Sequence, residues 1–331
     1  MSNNDLPLVA NQCEENPFTR YGAPPISDPS STLVDPSAFC AEEVDQINAS
    51  VESITSQRYY FFSEIQEIIG GTNGEKLPCF LREVTRRHHS GSSFNIDNAT
   101  LIIDIACSLA EPIVIPPRFT IAGTGLDGEG RLVFHDLSDG VSAVQLDTHQ
   151  AKNICIRDIR ISGEGFRPYS IGIDVSRAGK VYIKNCEVTD FHTGLLGGRP
   201  TTSAISVYID QCNIYNNSWN LVLYNEPYHW RVRDCILSQA NCCGVRIFSG
   251  NDHLISGCRF ESCGQNGARV GSHSAMFMNN RFEQNGGVNG IGINILSTAT
   301  KTRLISNLLS SNRIVDSSDP GETQEWGTIF G

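Results

Sequence analysis

A repeat of 22 to 27 residues restricts the folds open to this chain more than any other feature of its sequence. Each copy opens on an apolar residue, carries a polar or small residue two positions later, and returns to an apolar residue after three more. Periods of this length are typical of solenoids, in which each repeat forms one turn of a coil. The opening residues are Ile156, Ile183, Ile209, Val232, Ile255, Phe277 and Leu304.

Each repeat also contains a third strand, in which apolar residues alternate with others as they do in a strand with one buried face. Three strands per repeat predict an all-β fold with three parallel sheets and roughly seven or eight turns. The first inward residue of the third strand is expected at Val144, Ile171, Leu195, Leu221, Val245, Ala268 and Ile291. Two outward columns follow from it: Gln145, Gly172, Leu196, Val222, Arg246, Arg269 and Gly292, and Asp147, Asp174, Gly198, Tyr224, Phe248, Gly271 and Asn294.

These repeats resemble the right-handed parallel β-helix, or pectin-lyase-like, superfamily. The polar residue at the bend, such as Asn185 in "KVYIKNCEVTD" (180–190), is similar to that superfamily's asparagine ladder. "IVIPPRFTIAGTG" (113–125) resembles the segment that often opens such helices. The resemblance covers residues 100–312 or so and implies a single-stranded right-handed β-helix. It implies no particular activity, because a fold does not fix a function.

Composition and periodicity divide the chain into four parts. Residues 1–45 are rich in Pro, Ser and Asn, which predicts an irregular N-terminal segment. Apolar residues at helical spacing in 46–98 predict a partly helical N-terminal cap. The β-helix is expected over 99–315. A C-terminal tail or cap over 316–331 would cover the open end, or contact a partner chain, through Trp326 and Phe330.

Charge and the first residues bear on partners and location. The formal net charge of −11 argues against nucleic acid and anionic membranes as partners. The opening "MSNNDLPLVANQ" lacks the basic and apolar regions of a secretory signal. We therefore expect a cytoplasmic protein with reduced cysteines, with a phage virion as the alternative location. Because open-ended β-helices often trimerise, a homotrimer is a further prediction.

Four cysteines occupy one inward column on consecutive repeats: Cys186, Cys212, Cys235 and Cys258. Side chains stacked in parallel point the same way rather than at each other, which disfavours disulfides between them. Convergent zinc ligands at characteristic spacing are not presented either. The column is therefore expected to pack as small apolar groups.

In the superfamily, substrates usually lie on the outward face of the third sheet. Asp147 and Asp174 are expected on adjacent turns there, roughly 5 Å apart, where two carboxylates cannot both ionise freely. This arrangement predicts a catalytic acid/base or nucleophile pair for glycoside chemistry. A calcium ion bridging Asp147 and Asp174, and a solvated pair without function, are the alternatives. His192 and His273 are candidate proton relays, and no other cofactor is expected.

Arg246 and Arg269 are expected on neighbouring turns, with aromatic residues beside them. Paired guanidinium groups next to aromatic rings are typical of sites for acidic or ring-shaped ligands. A carbohydrate or another small acidic substrate is therefore the expected partner. The candidate substrate-binding residues are Tyr224, Glu226, His229, Arg246, Phe248 and Arg269.

The characteristic motifs of pectate lyases, polygalacturonases and alginate epimerases are absent, so no catalytic residue is carried over from them. The sequence predicts a carbohydrate-active β-helix that cleaves or rearranges a glycosidic or uronic polysaccharide or oligosaccharide. Lyase, hydrolase, transferase and epimerase or other isomerase chemistry stay open. Two other readings also stay open: a non-catalytic carbohydrate-binding or phage-spike module, and an intracellular cyclase or isomerase of a small metabolite.

Overall fold

The computed structural model describes residues 59–69, 74–90, 98–146, 152–164, 169–199, 202–225, 227–287, 290–318 and 322–331. Over these residues the chain winds into a coil, and each full turn contributes one strand to each of three parallel sheets. The predicted all-β solenoid is therefore confirmed. In the following, strands are numbered in chain order across the described residues.

The first sheet is formed by the strand that opens each repeat, and its register confirms the predicted alignment. Ile183 lies opposite Ile156 on one side and Ile209 on the other. The same column continues through every later repeat to Leu304. The eleven described strands are β1 (Tyr59–Phe61), β2 (Thr100–Ile103), β5 (Thr120–Gly123), β8 (Lys152–Arg157), β11 (Lys180–Lys184), β16 (Ser206–Asp210), β19 (Trp230–Arg233), β22 (His253–Ser256), β25 (Ala275–Met278), β28 (Thr302–Ile305) and β31 (Thr323–Trp326).

The second sheet follows a sharp bend, and its register also agrees with the sequence. Val188 lies opposite Ile161 and Ile214, and the column continues to Leu309. The ten described strands are β3 (Ala106–Leu109), β6 (Arg131–Phe134), β9 (Arg160–Gly163), β12 (Glu187–Thr189), β17 (Asn213–Tyr215), β20 (Ile236–Ser238), β23 (Arg259–Glu261), β26 (Arg281–Glu283), β29 (Leu308–Ser310) and β32 (Ile329–Phe330).

The third sheet completes each turn, and a short antiparallel ribbon follows one of its strands. The ribbon consists of β14 (Gly198–Arg199) and β15 (Thr202–Ser203). The nine described strands of the third sheet are β4 (Ile113–Ile115), β7 (Ser142–Leu146), β10 (Ile171–Asp174), β13 (Thr193–Leu196), β18 (Trp219–Leu223), β21 (Cys243–Ile247), β24 (Asn266–Val270), β27 (Ile291–Ile295) and β30 (Arg313–Asp316).

Two described helices, α1 (Phe62–Ile69) and α2 (Leu77–His89), precede the main coil. Pro78 lies in the first turn of α2, where a missing backbone N–H costs nothing. Phe80, Leu81 and Val84 of α2 are fully buried in the same apolar core as the coil. None of the helices in the described ranges is long and apolar enough to cross a membrane. The predicted division of the chain into four parts stays a prediction.

The coil extends into the segment that the sequence assigned to a tail. β31 continues the first sheet beside β28, and β32 continues the second sheet beside β29. Trp326 and Phe330, expected to cover the end of the coil or contact a partner, lie on these two strands and are 51% and 59% exposed. Because both strands pair with the preceding turn, these residues belong to a further turn of the coil.

The bend between the first and second sheets depends on residues in the left-handed backbone region. Asp158, Asn185 and Gln211 have φ values of 57°, 50° and 55°, and Asn and Asp tolerate this region better than most other non-glycine residues. Their counterparts on later turns follow the same conformation. The polar residue singled out in the repeat is therefore required by the backbone geometry of the bend.

At the bend itself Nδ2 of Asn185 donates to Oδ1 of Asp158 on the preceding turn at 2.8 Å, and a second, fully buried ladder lies one position after the bend. The thiol of Cys235 donates to the carbonyl of Arg233 at 3.1 Å, and its sulfur accepts the N–H of Cys212 at 3.4 Å. On later turns Asn280 takes the same place and its N–H donates to Asn307 at 3.0 Å. The column comprises Cys186, Cys212, Cys235, Cys258, Asn280 and Asn307.

The packing role predicted for the four cysteines is confirmed, since all are free and no more than 2% exposed. They are also hydrogen-bonded, which the sequence did not predict. Hydrogen bonding to the neighbouring thiol and burial together raise the pKa of Cys212 well above that of a free thiol. The thiol of Cys212 therefore stays protonated at neutral pH.

A substitution in the ladder tests its hydrogen bonding. Cys235→Ala removes the acceptor of the Cys212 N–H and leaves a small cavity, so we expect a loss of about 1–3 kcal/mol in the free energy of unfolding. Cys235→Asn supplies a donor and an acceptor of similar size, as Asn280 does, and should cost less than Cys235→Ala. Urea unfolding of the two variants measures the difference. Equal losses in both would show that packing alone holds the column.

Candidate functional site

The strands of the third sheet from β7 to β27 each have two consecutive inward residues, which shifts the outward columns from their predicted places at two turns. A Cβ added at Gly244 would lie 2.8 Å from Cδ1 of Phe260, inside the coil. Val245, the next residue, is also buried in the core. Cys243 and Arg246, on either side of this pair, therefore face outward. The pairing of Cys243 with Trp219 and of Arg246 with Val222 skips one residue in the same way.

This shift corrects the predicted register at two turns. Val144 lies opposite Ile173 and not Ile171, and Ala268 lies opposite Ile293 and not Ile291. Asp174 consequently lies opposite Gln145. Asp147 lies outside the described residues, so the predicted pairing of Asp147 with Asp174, as an acid/base pair or around a calcium ion, stays a prediction.

Asp174 instead forms a buried ion pair with Arg199, which comes from the β14–β15 ribbon. Nε and Nη2 of Arg199 donate to one carboxylate oxygen of Asp174 at 2.8 and 2.6 Å. Ser142 donates to the same oxygen at 3.1 Å, and the N–H of Ser176 donates to the other at 2.9 Å. Both carboxylate oxygens are therefore engaged by hydrogen-bond donors. This arrangement suits a structural anchor for the ribbon better than a general acid.

Beside this ion pair lies a hydrophobic cluster on the outward face of the third sheet, which we name the outer cluster. Trp219 and Val222 are its centre, and each is 1% exposed. Tyr224 and Phe248 pack against it, with their ring centroids 5.2 Å apart in an edge-to-face arrangement. The outer cluster consists of Ile171, Leu196, Trp219, Val222, Cys242 and Cys243.

The arginine pair, Arg246 and Arg269, lies next to the outer cluster. The two residues are direct neighbours on β21 and β24, as predicted. The guanidinium carbon of Arg246 is 4.0 Å from the ring centroid of Phe248 and 4.9 Å from that of Trp219. Burial, and to a lesser extent the charge of Arg269, lower the pKa of Arg246 to about 10. Arg246 therefore stays positively charged at neutral pH.

The same surroundings affect the thiol of Cys243, which lies on β21 in the outer cluster. Burial raises its pKa, while the side chain of Asn266 and the charges of Arg246 and Arg269 act in the opposite direction. Nδ2 of Asn266 donates to the sulfur at 3.5 Å. The two arginines thus place positive charge beside this thiol.

The predicted histidines lie apart from one another. Burial lowers the pKa of His192 to about 4, and its ring packs against Tyr169 with centroids 5.2 Å apart. His273 is exposed and hydrogen-bonded to Thr300. Nε2 of the exposed His229 is 3.4 Å from the carboxylate of Asp252. Glu226 lies outside the described residues, so its predicted role stays a prediction.

The three parallel sheets and their register confirm the fold that the repeats resemble. The protein is a right-handed parallel β-helix. Its fold is similar to "Geobacillus virus E2 - ORF18" (TM-score 0.58, 11% identity, 88% of this chain) and to the Dettilon tailspike protein (TM-score 0.54, 12% identity, 83% of this chain). This β-helix covers 65% and 66% of those two chains, slightly less than two thirds of their length.

A third β-helix of similar fold is the DFA-IIIase from Arthrobacter chlorophenolicus A6 in complex with GF2. The TM-score is 0.59 at 12% identity, over 82% of this chain and 79% of that one. Identities this low establish the fold alone. The search of curated proteins found no match to this chain.

Residues 135–288 of the β-helix match the family described as "Periplasmic copper-binding protein (NosD)", somewhat less than half of the 331 residues. The periplasmic description contradicts the predicted cytoplasmic location. Among the described residues, no three His, Cys, Asp or Glu side chains are grouped so as to hold a metal ion. These residues therefore do not fit a copper site.

The expectation of reduced cysteines also needs a correction. Nine cysteines of the described β-helix are free, but Cys242 is disulfide-bonded. Sequence reasoning also missed Arg199 and Trp219. A ribbon such as β14–β15 has no place in the repeat, and Trp219 has the spacing of an inward residue if strict alternation is assumed. Trp219 faces outward because β18 has an extra inward residue between Trp219 and Leu221.

Proposed function

We propose that the protein binds an acidic carbohydrate on the outward face of its third sheet. The observation that carries this proposal is the arginine pair, two like charges on adjacent strands beside Phe248 and Trp219. Guanidinium groups on adjacent strands present several N–H donors with the geometry that carboxylate and sulfate groups accept. Aromatic rings next to the guanidinium groups supply the apolar surface on which a sugar ring packs.

The described groups on this face favour binding over acid/base chemistry. Asp174 is engaged by Arg199, and burial holds the imidazole of His192 neutral over most of the pH range. The non-catalytic binding module therefore accounts for the geometry better than a hydrolase that uses Asp174. Cleavage or rearrangement of the bound glycan, and assembly into a homotrimer, stay predictions. A tailspike protein and a DFA-IIIase among the similar folds are consistent with a carbohydrate ligand.

The contribution of the arginine pair is tested with Arg269→Gln. A charge-assisted hydrogen bond contributes about 1.5–3 kcal/mol, so we expect affinity for oligogalacturonate to fall by about 10- to 100-fold. Arg303→Gln is the matched control, because it removes the same charge from an exposed position on the first sheet. Titration calorimetry at low and high salt, with the Cys242 disulfide intact and reduced, measures the binding.

Three outcomes bear on the proposal. Loss of affinity in Arg269→Gln with wild-type affinity in Arg303→Gln would support the arginine pair as the binding site. An equal loss of affinity in both variants would show that binding depends only on the net charge of the protein. If neither the oxidised nor the reduced protein binds oligogalacturonate or other acidic oligosaccharides, the proposed function is wrong.

A further inference from the structure

The outward face of the first sheet carries a short stack of aromatic rings. Tyr182 of β11 and Tyr208 of β16 lie opposite each other, with ring centroids 5.0 Å apart and 16° between the ring planes. Both residues are exposed. The register of the sheet places Arg231 of β19 in the next layer of this column and Leu254 of β22 in the layer after it. The stack therefore ends at Tyr208, and a third ring would take the layer of Arg231.

The guanidinium of Arg231 is drawn towards the residue that precedes β22. Its Nη1 donates to the carbonyl of Trp230 at 3.2 Å, and its Nη2 donates to the carboxylate of Asp252 at 2.9 Å. Because neighbouring strands are about 4.8 Å apart, the Cα atoms of Tyr208 and Leu254 are separated by roughly 9.5 Å. A flat ring placed midway would contact both side chains.

A pocket of about 230 Å³ lies in this layer. Tyr208, Arg231 and Leu254 line one side of it, and Asp210, Arg233 and Ser256 line the other. An apolar cavity of about 150 Å³ is large enough to hold benzene, so the pocket has room for a six-membered ring. Its exposed surface is almost wholly apolar. Such walls suit an aromatic ring better than a sugar ring, whose hydroxyl groups would be left without partners against them.

The rim of the pocket carries hydrogen-bond donors for an anionic group. Nε of Arg233 donates to Asp210 at 2.9 Å and lies 3.9 Å from Oδ2 of Asp234. In the described part of the chain, no group accepts a hydrogen bond from either Nη atom of Arg233. Lys184 lies in the same column beyond Asp210 and adds positive charge. A carboxylate is the group that matches the parallel N–H bonds of a guanidinium.

We propose that this pocket binds a small aromatic carboxylate. The ring lies between Tyr208 and Leu254 and continues the stack that begins at Tyr182, while the carboxylate accepts hydrogen bonds from the Nη atoms of Arg233. The site lies on the first sheet, whereas the proposed carbohydrate site lies on the third. The inference therefore does not rest on the proposed function.

Titration calorimetry with benzoate tests the site. We expect saturable binding at millimolar or lower concentration. Cyclohexanecarboxylate has the same charge but a puckered ring, and should bind about 3- to 10-fold more weakly. Benzamide keeps the ring without the charge, and should bind about 10-fold more weakly or worse. Absence of benzoate binding at millimolar concentration, equal binding of cyclohexanecarboxylate or benzamide, or tighter binding of galacturonate would overturn the proposal.

Two substitutions locate the binding. Arg233→Gln should lower the affinity for benzoate by about 10-fold or more. Arg259→Gln is the matched control, because Arg259 is an exposed arginine on the second sheet whose Nε donates to Glu283 at 3.1 Å. Tyr208→Leu keeps an apolar side chain and should lower the affinity about 3- to 10-fold. Equal losses in the two arginine variants, or wild-type affinity in Tyr208→Leu, would overturn the proposal.

Competition separates this site from the face of the third sheet. Because the two faces belong to different sheets, saturating oligogalacturonate should leave the affinity for benzoate unchanged. Displacement of benzoate by oligogalacturonate would place both ligands at the arginine pair and would overturn the proposal.

Discussion

Acidification from pH 7 to pH 4 is expected to lower the free energy of unfolding by about 3 kcal/mol through His253 alone. This side chain is 1% exposed, and its pKa is lowered to about 4, chiefly by burial. The backbone of Ser249 and the carboxylate of Asp252 oppose the shift, while Arg231 and His229 add to it. His192, whose pKa burial also lowers to about 4, should contribute a similar amount.

The direction follows from the two pKa values. The unfolded chain takes up a proton on histidine near pH 6.5, but the folded chain does so only near pH 4. Stability is therefore complete above pH 6.5 and is lost as the pH falls through this window, with about 2 kcal/mol already lost at pH 5. Urea unfolding at intervals between pH 7 and pH 4 measures the loss.

A histidine variant separates this effect from the titration of carboxylates. His253→Asn should flatten the dependence on pH in this window, whatever it costs at pH 7. His273→Gln is the matched control, because His273 is exposed and should leave the profile unchanged. Parallel profiles for the wild type and His253→Asn would contradict the assignment.

Replacement of Arg199 is expected to have an effect of at least the same size. Arg199→Ala leaves the carboxylate of Asp174 buried without its guanidinium, and the loss of one partner from a buried ion pair costs about 3–5 kcal/mol. Ser142 would also lose the donor that now lies 2.9 Å from its hydroxyl oxygen. Chemical unfolding at neutral pH measures the change in free energy.

The double variant Arg199→Ala/Asp174→Asn distinguishes an uncompensated charge from lost packing. Removal of both charges should recover part of the stability, because the remaining amide can still accept the N–H of Ser176. Arg233→Ala is a suitable comparison. Arg233 pairs with Asp210 at 2.9 Å but is 64% exposed, so its loss should cost far less than the loss of Arg199. A small effect of Arg199→Ala would mean that water solvates Asp174 and that the ribbon does not depend on the pair.

The register of the first two sheets could be predicted from sequence because its signal is local and repeated. Ile183 and Val188 flank one bend, and the same spacing recurs on every later turn. Each turn must place an apolar residue over the one before, and a shift by one residue would expose the whole column. The bend residue must also tolerate positive φ, which adds a second, independent marker of register.

The third sheet could not be predicted as well, because strict alternation fails there. Gly244 and Val245 both face inward. A pattern of strict alternation would assign the glycine before Val245 to the outward face. Ile171 therefore appeared to be a core residue, and the position of Asp174 opposite Gln145 could not be predicted. The arginine pair was placed correctly because β21 and β24 share the same irregularity. Contacts made by residues outside the repeat, such as the ion pair of Arg199 with Asp174, do not recur at the repeat period and cannot be predicted from it.

The four cysteines of the buried ladder can report the local opening of the coil, one turn at a time. Cys186, Cys212, Cys235 and Cys258 lie on four successive turns, and each is hydrogen-bonded to backbone and shielded from solvent. A thiol reagent can modify one of them only while its own turn is open. The rate at which each cysteine is alkylated under native conditions therefore measures the opening of one turn, so the wild-type chain can show whether the β-helix unravels layer by layer or all at once.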